Sequence, residues 1–208
     1  MSTPSGREGL SDEELLRLFD EGDASAFETL VQRYQRPLFH FILRSVRERD
    51  RAEELLQDVF LKVIQRSSEF QGNSKFSTWL YTIARNLCID TSRKMVFRRH
   101  RSLDAPLSAA DAEGGTLLDR VAGDEPAADR AVIGQDLQER ISVAIDGLPE
   151  EQREVFLMRE LQNMAFKEIA DVVGVPENTV KSRMRYALER LQRALAEYGD
   201  YAQELEEE

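Results

Sequence analysis

The sequence predicts an all-α fold of two small helical domains joined by a flexible acidic linker, the second domain carrying a helix-turn-helix. Three observations predict it. Apolar residues recur every three or four positions on either side of segment 104–130, as in amphipathic helices. That segment, DAPLSAADAEGGTLLDRVAGDEPAADR, is rich in Ala, Gly, Pro and Asp and keeps no apolar period, as a linker does. Near the end of the chain two helical patterns flank Gly174. The length of 208 residues suits one or two domains.

Residues 1–10 are polar and read as disordered, and the first domain spans 11–103. Ser11 and Glu14 form a capping-box pattern before a helix whose apolar side is Leu15, Leu16, Leu18 and Phe19. Gly22 ends it and Asp23 caps the next. The stripe of that second helix runs through Phe27, Leu30, Val31, Tyr34, Leu38, Phe41, Ile42 and Leu43. Pro37 has no N–H to continue a helical ladder, so a kink or short break is expected there. A third helix, Arg51 to Arg66, sets Leu55, Leu56, Val59, Phe60, Val63 and Ile64 against an exposed side of Glu53, Glu54, Gln57, Asp58 and Lys62.

The second domain spans 131–197, and an acidic tail occupies 198–208. Its first helix ends at Asp146 before Gly147. Pro149 suits the start of the next, whose buried side is Val155, Phe156, Leu157 and Leu161. Ile169, Ala170 and Val173 face inward ahead of Gly174. Val180, Met184, Leu188, Leu191 and Leu195 line one side of the last helix, with Asn178, Ser182, Arg185 and Tyr186 on the far side and Lys181 and Arg183 on its flanks. In a helix-turn-helix those early residues enter the major groove, where Arg and Lys bond guanine edges or phosphates. The bland alternative is a structural hairpin with basic solvent residues, but the polar groups gather in the N-terminal half of the helix.

The stretch Phe70 to Arg101, FQGNSKFSTWLYTIARNLCIDTSRKMVFRRHR, holds the other candidate site. Phe76, Trp79, Leu80, Ile83, Ala84 and Leu87 make a helical stripe. Thr78, Thr82, Arg85 and Arg93 lie roughly opposite, with Asn86 on the flank. An aromatic residue, a short Gly-containing loop, a Trp-bearing helix and a basic end suit an opened DNA strand, whose unstacked bases need stacking partners and edge hydrogen bonds. Phe70 and Asn86 offer those two contacts. Trp79 reads as core, and the basic run Arg93, Lys94, Arg98, Arg99, His100 and Arg101 fits DNA or a solvated helix end equally.

Composition narrows the classes. No window approaches the roughly 20 apolar residues of a membrane span, and MSTPSGREG lacks the apolar core of a signal peptide. A cytoplasmic protein is expected. Cys88 is the single cysteine, which rules out an intrachain disulfide and a multi-cysteine zinc site. His40 and His100 are far apart and no nucleotide-binding loop occurs, so neither an enzyme nor a bound cofactor or metal is expected. The net charge of -11 argues against avid DNA binding by the chain alone. Six of its acids lie between Glu197 and Glu208, and 104–129 is acidic too; without both segments the chain is close to neutral.

FQGNSKFSTWLYTIARNLCIDTSRK closely resembles the promoter-melting segment of the extracytoplasmic-function (ECF) group of bacterial RNA polymerase sigma factors. LPEEQREVFLMRELQNMAFKEIADVVGVPENTVKSRMRYALERL is similar to that family's domain for the -35 element. The resemblance covers about Ser11 to Leu195. It implies a dissociable subunit that brings core RNA polymerase to promoter DNA, with no bond-making chemistry of its own. It implies -10 binding and melting by Phe70, Asn73, Lys75, Trp79, Thr82, Arg85, Asn86 and Arg93. For the -35 element it implies Asn178, Thr179, Lys181, Ser182, Arg183, Arg185 and Tyr186. AEELLQDVFLKVI resembles the polymerase-docking helix, which carries docking onto Gln57 and Asp58, supported by Leu55 and Phe60. In the family the linker threads toward the RNA exit path, a role Asp111, Glu113, Asp119, Asp124 and Glu125 would fit. An anti-sigma factor is the implied regulatory partner. Two rival readings stand beside this one: a two-domain regulator that binds duplex DNA without polymerase, and a helical adaptor that sequesters a partner.

Overall fold

The computed structural model describes residues 9–101 and 140–206, with side chains over 9–94 and 140–196. The expected disorder of residues 1–8, the linker and its acids, the helix start at 131–139 and the side chains of the distal basic run and acidic tail lie outside the described residues.

Every regular element among the described residues is a helix. In order the helices are α1 (Asp12–Asp20), α2 (Ala24–Val46), α3 (Arg49–Arg66), α4 (Phe76–Arg101), α5 (described over 140–146), α6 (Glu150–Gln162), α7 (Phe166–Val173) and α8 (Glu177–Glu206). A 3-10 turn, Ser67–Glu69, follows α3. The chain divides into two compact units. One comprises Met1–Ala105 with Met158–Glu177, the other Pro106–Leu157 with Asn178–Glu208.

In the first unit the expected capping box forms. Ser11 Oγ accepts from the Glu14 N–H at 3.2 Å, and the Glu14 carboxylate accepts from the Ser11 N–H at 2.8 Å. Gly22 closes the helix with φ at +100°, a conformation that favours glycine. Asp23 caps α2 by accepting from the Ser25 N–H at 3.1 Å. Of the kink or short break expected at Pro37, the break does not occur: α2 is continuous through it. Leu30, Tyr34, Leu38, Phe41 and Ile42 are all buried along one side of α2, and that burial offsets the lost backbone bond. Helices α1, α2, α3 and α7 all pack on α4.

The one-sided stripe expected for α4 is accordingly incomplete. Thr78, placed by periodicity on the polar face, is buried, as are Tyr81 and Cys88, while Trp79 and Leu87 are only half-buried. The Tyr81 ring packs edge-on against Phe41, centroids 5.1 Å apart. On α3, Leu55, Val59 and Val63 are buried, but Ile64 is exposed, as is its neighbour Leu61.

In the second unit, Leu148, Ala187 and Leu191 form a core with Ala144, Ile145 and Phe156 packed against it. Buried Arg153 donates to the carbonyls of Asp146 and Leu148 at 3.1 and 3.2 Å, satisfying backbone acceptors where α5 ends. The carbonyl of Pro149 accepts from Gln152 and Arg153 at the start of α6. Leu188, placed on the apolar side of α8, is exposed, as is Leu161 of the first unit, read as buried. Helix α8 runs on through the expected tail to Glu206.

Candidate nucleic-acid interface

The loop 70–75 and helix α4 form the first candidate surface. The Phe70 N–H donates to the Ser67 carbonyl at 3.0 Å, which closes the 3-10 turn and presents the ring. Phe70 lies 5.2 Å from Trp79 and 6.4 Å from Phe76, and Tyr34 lies 5.4 Å from Phe76, all between ring centroids. Phe70 and Trp79 keep part of their surface in solvent, whereas Phe76 is buried. Trp79 sits in an aromatic cluster at the edge of the core.

After Phe70 the chain turns at Gly72, φ +69°. Asn73 and Lys75 are exposed. Asn73 donates to the Gln71 side-chain oxygen at 3.2 Å. The Lys75 ammonium pairs with Glu168 of α7 at 2.7 Å. The hydrogen bond to Glu168 raises the Lys75 pKa. Burial pushes the Glu168 carboxyl up, but the bonds from Lys75 and from the Ala165 N–H outweigh it and hold the group below its ordinary value.

Along α4, Lys75, Thr82, Asn86 and Arg93 fall within about 40° of one another around the axis, with Trp79 and Arg85 on the flanks. Thr82 and Arg85 are half-exposed, and Asn86 and Arg93 are exposed. The Thr82 hydroxyl donates to the Thr78 carbonyl at 2.8 Å, which leaves its oxygen able to accept. The structure therefore sets Lys75, Trp79, Thr82, Asn86 and Arg93 along one border of α4, with Phe70 and Asn73 in the loop that leads into it. A cavity of about 590 Å³ opens beside the loop, lined on the loop side by Asn73 and Lys75 and on the other by Ser11, Asp12, Glu13 and Arg33. The α1 wall was not foreseen in the sequence.

The second candidate surface is the start of α8. Asn178, Lys181, Ser182, Arg185 and Tyr186 are exposed, and Thr179 is half-exposed. Arg185 stacks over the Tyr186 ring at 4.9 Å and approaches Glu189 at 3.8 Å. Arg183 departs from this set. Its guanidinium turns onto α6, 2.8 Å from Glu151 and 3.7 Å from Glu154. On α3, Gln57 and Asp58 are exposed, Phe60 is half-buried with its ring 6.2 Å from Phe27, and Leu55 supports them from the core. Leu61 and Ile64 add exposed apolar surface along the same helix.

Residues 30–98 match Sigma-70 region 2, and residues 138–191 match Sigma-70 region 4. The RNA polymerase sigma-H factor of Pseudomonas aeruginosa is 32% identical over 88% of this chain and 93% of its own. The ECF RNA polymerase sigma factor SigW of Bacillus subtilis is 31% identical over 84% of this chain and 91% of its own. The ECF sigma-E factor of Escherichia coli K12 is 31% identical over 88% and 94%. The chain belongs to the ECF sigma factors of bacterial RNA polymerase. Two solved structures share this sigma-factor fold with a TM-score of 0.61 each: CnrH in complex with the cytosolic domain of CnrY, 19% identical over 89% of this chain and 97% of that one, and the sigma factor RpoE with the anti-sigma factor NepR from Bartonella quintana, 23% identical over 82% and 96%. Among the described residues of this sigma factor, no helix is long and apolar enough to cross a membrane, and no cluster of His, Cys, Asp and Glu could hold a metal ion.

Proposed function

We propose that this ECF sigma factor binds core RNA polymerase and places it at promoters, reading the -35 element with α8 and opening the -10 element with loop 70–75 and α4. The observation that carries the reading is the border of α4. Partly exposed rings at Phe70 and Trp79 lie at the loop end of the border that carries Lys75, Thr82, Asn86 and Arg93, with Asn73 in the loop itself, so stacking, edge hydrogen bonds and phosphate contacts are available in sequence along it. The domains divide as 11–103 for docking and opening, 104–130 as tether, and 131–197 for the upstream element. Polymerase supplies the chemistry and this chain the address. It acts in the cytoplasm, where the polymerase and the DNA are.

Docking uses Gln57 and Asp58 with the exposed apolar side chains Leu61 and Ile64, which give the α3 surface a desolvatable patch. An anti-sigma factor holds the chain inactive by covering these surfaces; the RpoE relative was solved with such a protein bound. Reconstitution tests the reading. Core polymerase with this chain should initiate at promoters whose transcripts rise when the chain is overproduced, and core polymerase alone should not. Tight duplex binding by the chain alone, with no dependence on it for initiation, would refute it.

A further inference from the structure

We infer that Glu13, in the first turn of α1, is a positioning residue for promoter opening: its carboxylate holds the start of α4 and through it the loop carrying Asn73 and Lys75. Lys75 occupies the N-cap position of α4, its carbonyl accepting from the Trp79 N–H at 3.2 Å. A lysine ammonium only donates, so it cannot satisfy the free N–H groups of the first turn. Glu13 does so from 63 residues away, Oε1 accepting from the Phe76 N–H at 2.8 Å. A carboxylate at a helix N-terminus also meets the positive end of the macrodipole.

The anchor is itself tied down. Asp12 accepts from Arg33 of α2 at 2.7 Å and from the Tyr34 hydroxyl, and Arg33 donates to the Leu10 carbonyl at 2.9 Å. The Tyr34 ring lies against Phe76, whose amide Glu13 holds. α1 is thus locked to α2 on one side and to the first amide of α4 on the other. The exposed loop between Phe70 and Phe76 enters α4 at a set angle before DNA arrives. Ordering that loop costs conformational entropy, and a fixed entry point lowers the part that strand capture must supply.

This inference rests on the proposed function of the loop. Its test measures open-complex formation with core polymerase on a promoter recovered by overproduction, carrying 2-aminopurine in the non-template -10 strand. Affinity for core polymerase and retention on the -35 element are measured beside it. Glu13→Ala should slow opening by about tenfold or more, the loss expected for one hydrogen bond to a charged group. Glu13→Gln keeps a neutral acceptor and should recover to within about two- to threefold of wild type. Both should leave core affinity and -35 retention unchanged, and Glu13→Ala should speed amide exchange at Phe76. Wild-type opening by Glu13→Ala, or a parallel loss in all three readouts by both variants, would overturn the role of Glu13. Failure of the wild-type chain to open any such promoter would instead overturn the proposed function.

Discussion

Arg183 is the residue on which two roles compete. The family pattern puts it among the DNA-reading side chains of α8, yet its guanidinium lies between two α6 carboxylates. The two pairs differ in worth. Glu151 is 2.8 Å away but 69% exposed, so water and salt screen that pair to about 1 kcal/mol or less. Glu154 is farther, at 3.7 Å, but only 11% exposed, and the Arg183 side chain is 17% exposed. Removing the partner of a sheltered charge costs about 3–5 kcal/mol when burial is complete. Glu154 has further interactions, so that range is a ceiling. Arg183→Ala should therefore destabilise the second unit by about 1–3 kcal/mol, Glu151→Gln by less than about 1 kcal/mol. The pair Arg183→Ala with Glu154→Gln should show coupling of about 1 kcal/mol in a double-mutant cycle. Urea denaturation measures all of these. By contrast Lys181→Ala, on the exposed face, should weaken promoter retention and its salt dependence while costing less than about 1 kcal/mol of stability. If Arg183→Ala leaves the midpoint unchanged while removing -35 retention, the guanidinium leaves its carboxylates for DNA and the assignment to α6 is wrong.

Tyr81→Phe should leave the first unit as stable or more stable by about 1 kcal/mol, since the hydroxyl is buried with no hydrogen-bond partner among the described residues and the ring contact with Phe41 is kept; thermal unfolding reads it. His40 is held below its ordinary pKa by burial and by Arg36 and Arg44, and its buried Nδ1 has no partner among the described residues. Between its folded value and 6.5 the unfolded chain binds more protons, so this contribution to stability falls as pH drops below 6.5, and His40→Gln should remove that part of the slope in a pH series of urea titrations. Leu61→Asn should lower affinity for core polymerase by about fivefold, because a half-exposed leucine has about 1 kcal/mol of burial left to gain, and should leave the unfolding midpoint in place; unchanged core affinity in a fluorescence titration would remove Leu61 from the docking surface.

How much could be read from the sequence depended on how local the cause was. Ser11 with Glu14, Asp23, Gly22 and Gly174 act within a few residues of themselves, and the helices they delimit stand where the pattern placed them. Proline is local too, yet Pro37 does not break α2, because continuity of the helix is decided by the burial of Leu38, Phe41 and Ile42 rather than by one missing bond. Periodicity assumes a single buried face. It served α2 and failed on α4, where four helices pack around one axis and bury Thr78 and Tyr81 with the apolar stripe. Contacts between distant segments left no local mark: nothing near Glu13 announces the Phe76 amide, and nothing near Arg183 announces Glu154.

On α3 the mismatch between pattern and packing runs the other way. The apolar arc read from its sequence is wider than the face its neighbours cover, so Ile64 stays in solvent with Leu61 beside it. Single exposed apolar residues need no explanation. Two of them one turn apart, beside exposed Gln57 and Asp58, form a contiguous patch whose burial is left for another chain. The helix is thus over-specified for its own core, and the excess lies on the side from which polymerase is proposed to approach.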